Sequence, residues 1–218
     1  MTTSARVERE RYFWIEMDNY LYERKYLASG LKYIAGVDEV GRGPLAGPVV
    51  CAAVIMPTDN FIEGVNDSKK LSERKRKELS RIILDRAVCY NIAEISQEEI
   101  DSINIFQAVR KCMENAVKGL TIMPDITLVD GLDTHLKINA EYIVKGDNLS
   151  YTIACASIIA KVYRDELMCG YAKEFPEYGF DKNKGYGTAL HINKIKEAGP
   201  CRLHRRTFIK NFWDTREK

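Results

Sequence analysis

Four acidic residues lie at the ends of apolar segments, each with a glycine close by. They are Asp38, Glu39, Asp130 and Asp147. A carboxylate buried at the end of a sheet is destabilising unless it is paired or binds a cation, and converging carboxylates repel one another. Oxygen ligands without a Cys or His cluster are those that Mg²⁺ and Mn²⁺ prefer. The four acids together predict a divalent-metal site, although a simple turn before glycine explains any one of them about equally well.

A glycine-rich segment, Gly41-Arg42-Gly43, follows the first two acids. Adjacent residues of a straight strand face opposite sides, so we expect the chain to bend for Asp38 and Glu39 to reach one site. The two glycines permit such a bend. The segment is not a dinucleotide-binding fingerprint, because Ala46 stands where the third glycine is required and a strand-like run follows. The sequence contains no P-loop motif either.

Apolar periodicity predicts the elements that carry these residues. The predicted strands cover residues 33–38, 49–55, 87–95, 126–130 and 140–144, and the predicted helices cover 7–28, 72–86, 104–119, 150–173, 188–197 and 205–213. The first two strands form a hairpin-like pair, whereas helices connect the later strands. This order predicts an α/β fold with a mixed five-stranded sheet flanked by helices.

The chain of 218 residues has the length of one domain with appendages. We expect an N-terminal helical extension at 1–30 and a main domain at 31–218, which ends in small helices at about 188–218. The longest apolar run, residues 49–56, is too short to span a bilayer. The first residues carry acids rather than an export segment. We therefore expect a cytoplasmic protein that has no membrane segment.

The cysteines and histidines suggest no metal centre. The six cysteines contain no C-x-x-C pair, so we expect free thiols. The three histidines, His135, His191 and His204, have no spacing typical of zinc ligands, and we interpret each as structural or exposed.

Two stretches of the chain are basic, although the net charge is only +2. Residues 182–218 hold ten Lys or Arg against three Asp or Glu, and residues 66–86 hold eight against four. Both stretches suit a polyanion, but solvated helix faces have the same composition. Lys69 and Lys70 precede a helix predicted to begin at Ser72, and free backbone N–H groups there suit phosphates. A solvated lysine pair is the alternative.

The segment YIAGVDEVGRGPLAGP, residues 33–48, resembles the opening signature of the bacterial ribonuclease HII family. Six later segments resemble the family's further blocks in the same order: DSKKLS (67–72), LVDG (128–131), KGD (145–147), ASIIAKVYRD (156–165), KGYGT (184–188) and HRRTF (204–208). The resemblance spans residues 33–208, which leaves only the N-terminal helix and the last residues outside it.

We expect Asp38 to bridge two Mn²⁺ or Mg²⁺ ions, because its strand fixes it most firmly, and Asp147, in a looser loop, to hold the second ion or position water. The resemblance implies a ribonuclease H-like fold whose catalytic and metal-binding residues are the same four acids. It implies an endoribonuclease that hydrolyses the RNA strand of RNA/DNA hybrids and nicks duplex DNA 5′ to an embedded ribonucleotide, leaving 5′-phosphate and 3′-hydroxyl ends. The implied partners are RNA/DNA hybrids and DNA duplexes that contain ribonucleotides. We expect a monomer, and contact with a sliding clamp stays open.

The resemblance also implies the residues that bind substrate. The backbone of Gly41 and Gly43, together with Arg42, contacts the ribose 2′-hydroxyl and the phosphate at the cleavage point, and Tyr186 stacks on the deoxyribose beyond it. Lys69 and Lys70 bind flanking phosphates. An aspartate matching Asp165 lies near the metal site in the family, whereas the residue types alone favour a surface ion pair with the adjacent arginine.

Two alternatives remain at this stage. A ribonuclease HIII-type enzyme is similar but typically has a lysine in place of the loop arginine and an additional N-terminal domain, so Arg42 and the short N-terminal segment argue against it. A non-catalytic nucleic-acid binding module would use the basic C-terminal third, with the acids holding Ca²⁺ or Mg²⁺ for folding.

Overall fold

The computed structural model describes residues 19–66 and 68–213. Its strands are β1 (Ile34–Val40), β2 (Val49–Ile55), β3 (Cys89–Ile95), β4 (Ile126–Asp130) and β5 (Ala140–Ile143). Its α-helices are α1 (Leu21–Ala28), α2 (Glu73–Arg86), α3 (Gln97–Ile103), α4 (Ile105–Lys118), α5 (Gly146–Leu149), α6 (Tyr151–Glu174), α7 (Phe180–Asn183), α8 (Ala189–Ala198) and α9 (Arg206–Ile209), with a 3₁₀ helix at Pro176–Tyr178. The part of the predicted N-terminal helix at 7–18 lies outside the described residues.

The five strands form one mixed sheet in the order β3-β2-β1-β4-β5. The pairs β1–β2 and β2–β3 are antiparallel, whereas β1–β4 and β4–β5 are parallel. The eight residues between β1 and β2 are enough for a return in the opposite direction, but parallel neighbours need a longer crossover. The predicted mixed five-stranded sheet is therefore confirmed.

Helices cover both faces of the sheet, and β2 shows how its side chains divide between them. Alternate β2 residues, beginning with Val49, join a core cluster with α4, and the intervening ones, beginning with Val50, join a cluster with α2 and α6. All seven β2 residues are buried. A strand buried on both faces is expected to be apolar throughout, as this one is.

The first turn of α6 lies directly against β1. A Cβ atom at Gly36 would lie 2.1 Å from the Thr152 carbonyl carbon and 2.4 Å from the Ile153 nitrogen, which are distances that real Cβ atoms do not reach. Glycine at this position is therefore a requirement of helix–sheet packing. The close approach fixes the line along which α6 runs over the sheet.

A buried glutamate of α1 binds the N-terminus of α6. The Glu23 Oε1 atom accepts hydrogen bonds from the Ser150 hydroxyl at 2.6 Å and from the Thr152 backbone amide at 2.9 Å. Ser150 is itself the N-cap of α6. Negative charge at a helix N-terminus is favourable, because unpaired N–H groups point outward there. The sequence analysis did not find this residue, and the division of the chain at residue 30 stays a prediction.

Three short helices were not predicted, namely α3, α5 and α7, and the last helix is shorter than predicted. Helix α3 has a Ser96 N-cap that accepts from the Glu99 amide, but in its sequence, QEEIDSI, only two residues are apolar. Such segments have no 3.6-residue periodicity to detect. The predicted helix at 205–213 is helical only at Arg206–Ile209, where the chain packs into a small core cluster with Tyr178.

Two expectations from the sequence concern membrane-spanning helices and the state of the cysteines. Along the described ranges, no helix is long and apolar enough to cross a membrane. All six cysteines are free, as predicted, and four of them are buried in the core.

We predict that Glu23→Ala destabilises the protein by about 2 kcal/mol, because it leaves the buried Thr152 amide without its acceptor and removes the acceptor of the Ser150 hydroxyl. Urea unfolding measures the change. Lys25→Ala is the control, since Lys25 forms an exposed ion pair with Glu141 that contributes little. Equal losses in the two variants would contradict the role assigned to Glu23.

Candidate active site

Two of the predicted acids meet at one edge of the sheet because of strand register. The parallel pairing aligns Val37 with Val129, so Asp38 and Asp130 come next on neighbouring strands. Asp38 is only 7% exposed and accepts hydrogen bonds from the Glu39 amide at 2.7 Å and from the Ser157 hydroxyl. Burial, together with the charges of Glu39 and Asp130, raises the pKa of Asp38 well above its ordinary value.

The expected change of direction comes after the two acids rather than at them, and Glu39 still reaches the acidic edge, since the charge of Asp130 acts on it. Both residues stay in β1, paired in register with Ala52 and Cys51 of β2. The antiparallel ladder holds them extended, and the chain turns only at Gly41, where φ is +93°. The Glu39 carboxylate lies 3.6 Å from the Arg42 guanidinium. Burial raises the pKa of Glu39, and the charge of Arg42 opposes that rise.

Helix α5 joins Asp130 to the fourth acid, Asp147. The Gly146 amide donates to Asp130 Oδ1 at 2.6 Å. Asp147 is buried in the first turn of α5 and accepts from the Asn148 side chain at 2.8 Å, so the predicted loose loop is in fact a short ordered helix. Burial and then the charge of Asp147 raise the pKa of Asp130, while the Gly146 amide lowers it.

The four acids are electrostatic neighbours, and their donor set fits a hard divalent cation. The charges of Glu39 and Asp130 act on Asp38, and the charge of Asp147 acts on Asp130. Within 19–66 and 68–213, no group of three or more His, Cys, Asp or Glu side chains is arranged so that it alone could hold a metal ion. Mg²⁺ commonly takes one or two carboxylates and completes its shell with water and substrate phosphate. An open set of carboxylates is therefore a suitable site for such an ion.

The two predicted lysines lie beside this acidic edge. The Lys69 ammonium is 3.7 Å from Asp147 Oδ2, and the Lys70 ammonium donates to Asn148 Oδ1 at 2.7 Å. Helix α2 begins just after them, and its predicted N-cap is confirmed because the Ser72 hydroxyl accepts from the Lys75 amide. The N-terminus of α2 and the N-terminus of α5 therefore share one side of the site.

A buried arginine near the C-terminus determines the shape of the glycine-rich segment. Arg205 is completely buried and donates to the carbonyl oxygens of Gly41 at 2.6 Å, Arg42 at 3.0 Å and Gly47 at 2.8 Å. Burial, and then the positive charge of Arg164, lowers the pKa of Arg205 to about 9, so the group stays protonated at neutral pH. A buried cation must be compensated by hydrogen-bond acceptors, and these three carbonyl oxygens are the acceptors here.

A second buried arginine, Arg164 of α6, binds the later part of the same loop. It donates to the carbonyls of Pro48 at 3.0 Å, Ala46 at 3.1 Å and Lys184 at 3.0 Å. A Cβ at Gly41 would lie 2.2 Å from Arg164 Nε, so the arginine and a side chain cannot share that space. Arg164 therefore ties residues 46–48 to the segment that carries Tyr186.

This arrangement contradicts the surface ion pair that the residue types favoured for Arg164 and Asp165. Arg164 binds carbonyls, and Asp165 is only 7% exposed and pairs with the Lys161 ammonium at 2.7 Å. The i, i+4 spacing on α6 puts Lys161 within reach of Asp165. A role for Asp165 near the metal site stays a prediction.

The inward carbonyls determine what the glycine-rich segment presents to solvent. In a trans peptide the C=O and the following N–H point in opposite directions. Because the Gly41 and Arg42 carbonyls turn toward Arg205, the amides of Arg42 and Gly43 turn the other way. Two outward N–H groups beside an arginine side chain form a surface suited to an anion or a hydroxyl group.

Tyr186 lies next to this surface. Its ring is 43% exposed, and a Cβ at Gly43 would lie 3.9 Å from Tyr186 Cε1. The backbone on both sides is fixed, since the Leu45 amide donates to Gly185 O at 2.8 Å and the Tyr186 amide donates to Asn183 O at 2.9 Å. A fixed backbone with an exposed ring is unlike a core aromatic residue.

Two histidines that the sequence analysis treated separately are in contact. The Nε2 atoms of His191 and His204 are 3.0 Å apart, and both side chains are buried. Their separation by 13 residues gave no signal, because the contact depends on how the C-terminal segment folds back. The third histidine, His135, is exposed and lies 3.3 Å from Asp133.

The model of the ribonuclease HII family matches residues 35–216. The chain belongs to this family. It is 47% identical to ribonuclease HII of Chlamydia caviae over 203 residues, covering 93% of this chain and 94% of the relative. It is 50% identical to ribonuclease HII of Acetivibrio thermocellus over 206 residues, covering 94% and 80%. The chain is therefore a ribonuclease with ribonuclease H activity, and the binding-module alternative is set aside.

Solved structures agree with this assignment. Ribonuclease H2 from Pyrococcus horikoshii superposes with a TM-score of 0.71 at 26% identity, over 86% of this chain and all of that chain. The ribonuclease HII in the PCNA:RNase HII complex from Archaeoglobus fulgidus gives 0.70 at 26%, over 84% and 97%. A Bst-RNase HIII structure in complex with Mn²⁺ gives 0.66 at 17%, over 81% and 67%, and shows the fold alone. The predicted ribonuclease H-like fold is confirmed.

We predict that Arg205→Met destabilises this enzyme by about 3 kcal/mol or more, because three carbonyls, two of them buried, lose their donor. Denaturant unfolding measures the loss. Arg206→Met is the matched control, since Arg206 is the adjacent arginine and is exposed. A loss no larger than that of Arg206→Met would show that the guanidinium does not support the loop.

Proposed function

We propose that this enzyme hydrolyses the RNA strand of RNA/DNA hybrids and nicks duplex DNA on the 5′ side of an embedded ribonucleotide, leaving a 5′-phosphate and a 3′-hydroxyl. One observation above all supports this proposal. The acidic edge of the sheet, the outward amides of Arg42 and Gly43, and the exposed ring of Tyr186 are contiguous. In the proposed roles, the cleaving group, the ribose reader and the sugar-stacking group are therefore neighbours, since Glu39 lies beside Arg42 and Gly43 beside Tyr186.

We propose that Asp38, Glu39, Asp130 and Asp147 hold Mn²⁺ or Mg²⁺, two ions when substrate is bound. Such ions, when bound, activate water and stabilise the leaving 3′-oxygen. The proposal is supported by the all-oxygen donor set and by the pKa values of Asp38 and Asp130, which burial and neighbouring carboxylates raise. A cation relieves both effects, because it favours the ionised form of each acid. The choice between the two metals is left to experiment.

The distinction between RNA and DNA requires a contact with the ribose 2′-hydroxyl. The Arg42 and Gly43 amides are donors that face away from the buried arginines, and the Arg42 side chain lies beside Glu39. These groups bind the 2′-hydroxyl and the adjacent phosphate in the proposed complex. Tyr186 then packs on the next sugar, where an additional 2′-hydroxyl would crowd the ring.

Lys69 and Lys70 are proposed to bind phosphates that flank the cut. Their ammonium groups lie near Asp147 and Asn148, on the approach to the N-terminus of α2. Helix N-termini and lysines both attract phosphate. In this position the two lysines orient the duplex through its phosphates and do not recognise its base sequence.

Three further expectations concern the state of the enzyme. The monomeric state and the cytoplasmic location stay predictions, and light scattering on the purified chain tests the first. A relative of known structure is described in a complex with PCNA. A ring-shaped sliding clamp is therefore a partner to test for this chain, by co-elution of the two proteins.

The decisive assay uses a labelled DNA duplex that contains one ribonucleotide, incubated with and without Mn²⁺. We expect one nick at the 5′ side of the ribonucleotide, only when a divalent metal is present. Sequencing-gel mobility identifies the ends as 3′-hydroxyl and 5′-phosphate. Cleavage on the other side of the ribonucleotide would refute the proposed junction recognition.

We predict that Asp130→Asn reduces cleavage by at least about a hundredfold while the protein stays folded. The amide retains the Oδ1 acceptor for the Gly146 N–H but removes a charge that a metal requires. Stability is expected to rise slightly, because repulsion between carboxylates is relieved. Cleavage rates at saturating Mg²⁺ and the melting temperature are the two measurements.

The matched control is Asp125→Asn at the other end of the same strand. Asp125 also accepts backbone N–H groups, from Lys32 at 2.8 Å and Tyr33 at 2.9 Å, but lies away from the acidic edge. We expect near wild-type cleavage from this control. If Asp130→Asn also cleaved at the wild-type rate, the metal assignment would fail.

We predict that Tyr186→Ala lowers the rate on a single embedded ribonucleotide about tenfold more than the rate on a long RNA/DNA hybrid. A stacking contact of roughly 1–3 kcal/mol is removed only from the junction complex. The melting temperature should change little, since the ring is exposed. Tyr163→Ala, which removes a similarly exposed tyrosine from α6, is the control. An unchanged ratio with a large loss of stability would make Tyr186 structural.

A further inference from the structure

The buried histidine pair is continuous with the backbone of Tyr186. His191 Nδ1 lies 2.9 Å from the Tyr186 carbonyl oxygen, and His191 Nε2 lies 3.0 Å from His204 Nε2. The same carbonyl accepts from the Thr188 amide at 2.8 Å. His204 Nδ1 lies 3.0 Å from the Cys201 backbone nitrogen. One line of contacts therefore links the Tyr186 carbonyl, the His191 ring, the His204 ring and the Cys201 backbone nitrogen.

The contacts assign the protons along this line. A backbone amide can only donate, so His204 Nδ1 is the acceptor of the Cys201 N–H. The Cys201 carbonyl also lies near Nδ1, but at the longer distance of 3.3 Å. In a neutral His204 the proton is then on Nε2, which donates to His191 Nε2. The His191 proton is consequently on Nδ1 and is donated to the Tyr186 carbonyl.

The surroundings of the pair favour the neutral form of both rings. Aromatic rings pack against them, with Tyr178 centred 4.8 Å from His204 and Phe180 centred 5.4 Å from His191. Burial, and then the neighbouring His191, lowers the pKa of His204 to about 4, and burial lowers the pKa of His191 as well. Neither ring is charged near neutral pH, so the directed order of donors and acceptors is maintained.

His204 also belongs to the segment that holds the glycine-rich loop. It forms a β-bridge with Ala46, and its two neighbours bond the same loop. The Gly47 amide donates to Leu203 O at 2.8 Å, and the Arg205 amide donates to Leu45 O at 2.8 Å. One three-residue segment thus contacts both the loop that carries Arg42 and, through His191, the backbone of Tyr186.

We propose that His191 and His204 are positioning residues that hold the Tyr186 ring at a fixed place relative to the glycine-rich loop, and so set the preference for an RNA-to-DNA junction. This inference rests on the proposed function of Tyr186. Both histidines are buried, so they touch no substrate atom in the proposed complex. Their effect is to hold the Tyr186 carbonyl, because the ring can lie across the following sugar only if its backbone keeps its distance from the loop.

The test compares two amide substitutions at His191. In His191→Asn the side-chain amide occupies the place of Nδ1 and still donates to the Tyr186 carbonyl. In His191→Gln the amide occupies the place of Nε2, so it still meets His204 but leaves the carbonyl without its side-chain donor. Both variants remove the ring, and both lose similar packing against Phe180. A purely structural role predicts the same outcome for the two.

The measured quantity is the ratio of cleavage rates on a duplex with one ribonucleotide and on a long RNA/DNA hybrid, with the melting temperature recorded alongside. We expect His191→Asn to keep the wild-type ratio and His191→Gln to lower it about two- to tenfold, as loss of one neutral hydrogen bond predicts. Equal ratios in the two variants would overturn the proposal.

Tyr186→Ala, measured in the same experiment, separates this inference from the proposed function. If Tyr186→Ala leaves the ratio unchanged, the proposed reading of the sugar by Tyr186 is wrong. If Tyr186→Ala lowers the ratio and the two His191 variants do not differ, only the role of the histidines is wrong.

A spectroscopic measurement tests the proton assignment without any cleavage. In the wild-type enzyme labelled with ¹⁵N histidine, we expect both buried rings to be neutral at pH 7, with the proton on Nε2 of His204 and on Nδ1 of His191. The opposite tautomers, or a charged ring at this pH, would refute the directed line of hydrogen bonds.

Discussion

Two buried guanidinium groups impose the constraint from which the rest of the site follows. A cation removed from water must be compensated, and Arg164 and Arg205 are compensated by backbone carbonyls of the segment from Gly41 to Pro48 and by Lys184 O. The loop is therefore folded with its acceptors inside. Its donors are left for the other side, where they suit phosphates and hydroxyls. A surface suited to anions is thus produced by two cations that are buried behind it.

Helix α6 connects this constraint to the acidic edge of the sheet. Its first turn lies against Gly36 and binds Glu23, its second turn places Ser157 against Asp38, and its middle carries Arg164 under the loop. One rigid element of 24 residues thus fixes the distance between the carboxylates and the loop. Rigid support of this kind is needed because the buried acids repel one another when no cation is bound. The fold tolerates this repulsion because the packing of α6 against the sheet does not depend on the carboxylates.

The sequence predicted the regular elements well and the irregular ones poorly. The apolar run of β2 and the long helix α6 were found because a buried strand and a buried helix leave strong periodic patterns. Helix α5 was missed, and Asp147 was assigned to a loose loop, because four residues cannot show a helical period. The bend expected at Asp38 and Glu39 comes after them, since the ladder to β2 continues through both residues. Glu23 was missed because a glutamate on a charged helix is ordinarily solvated.

The four acids, the glycine-rich loop and Tyr186 were predicted as site residues from the sequence by itself, because residue types at strand ends and a specific motif limit the chemistry that a site can perform. The tertiary structure alone decided what holds them. The contact between His191 and His204, the burial of Arg205 beneath Gly41, and the pairing of Asp165 with Lys161 all depend on how distant segments pack. No local pattern encodes them, since a buried arginine or histidine is acceptable only after the fold supplies its partners. The sequence by itself thus determined which groups are candidates for the reaction, and the packing of the C-terminal segment and α6 determined their positions.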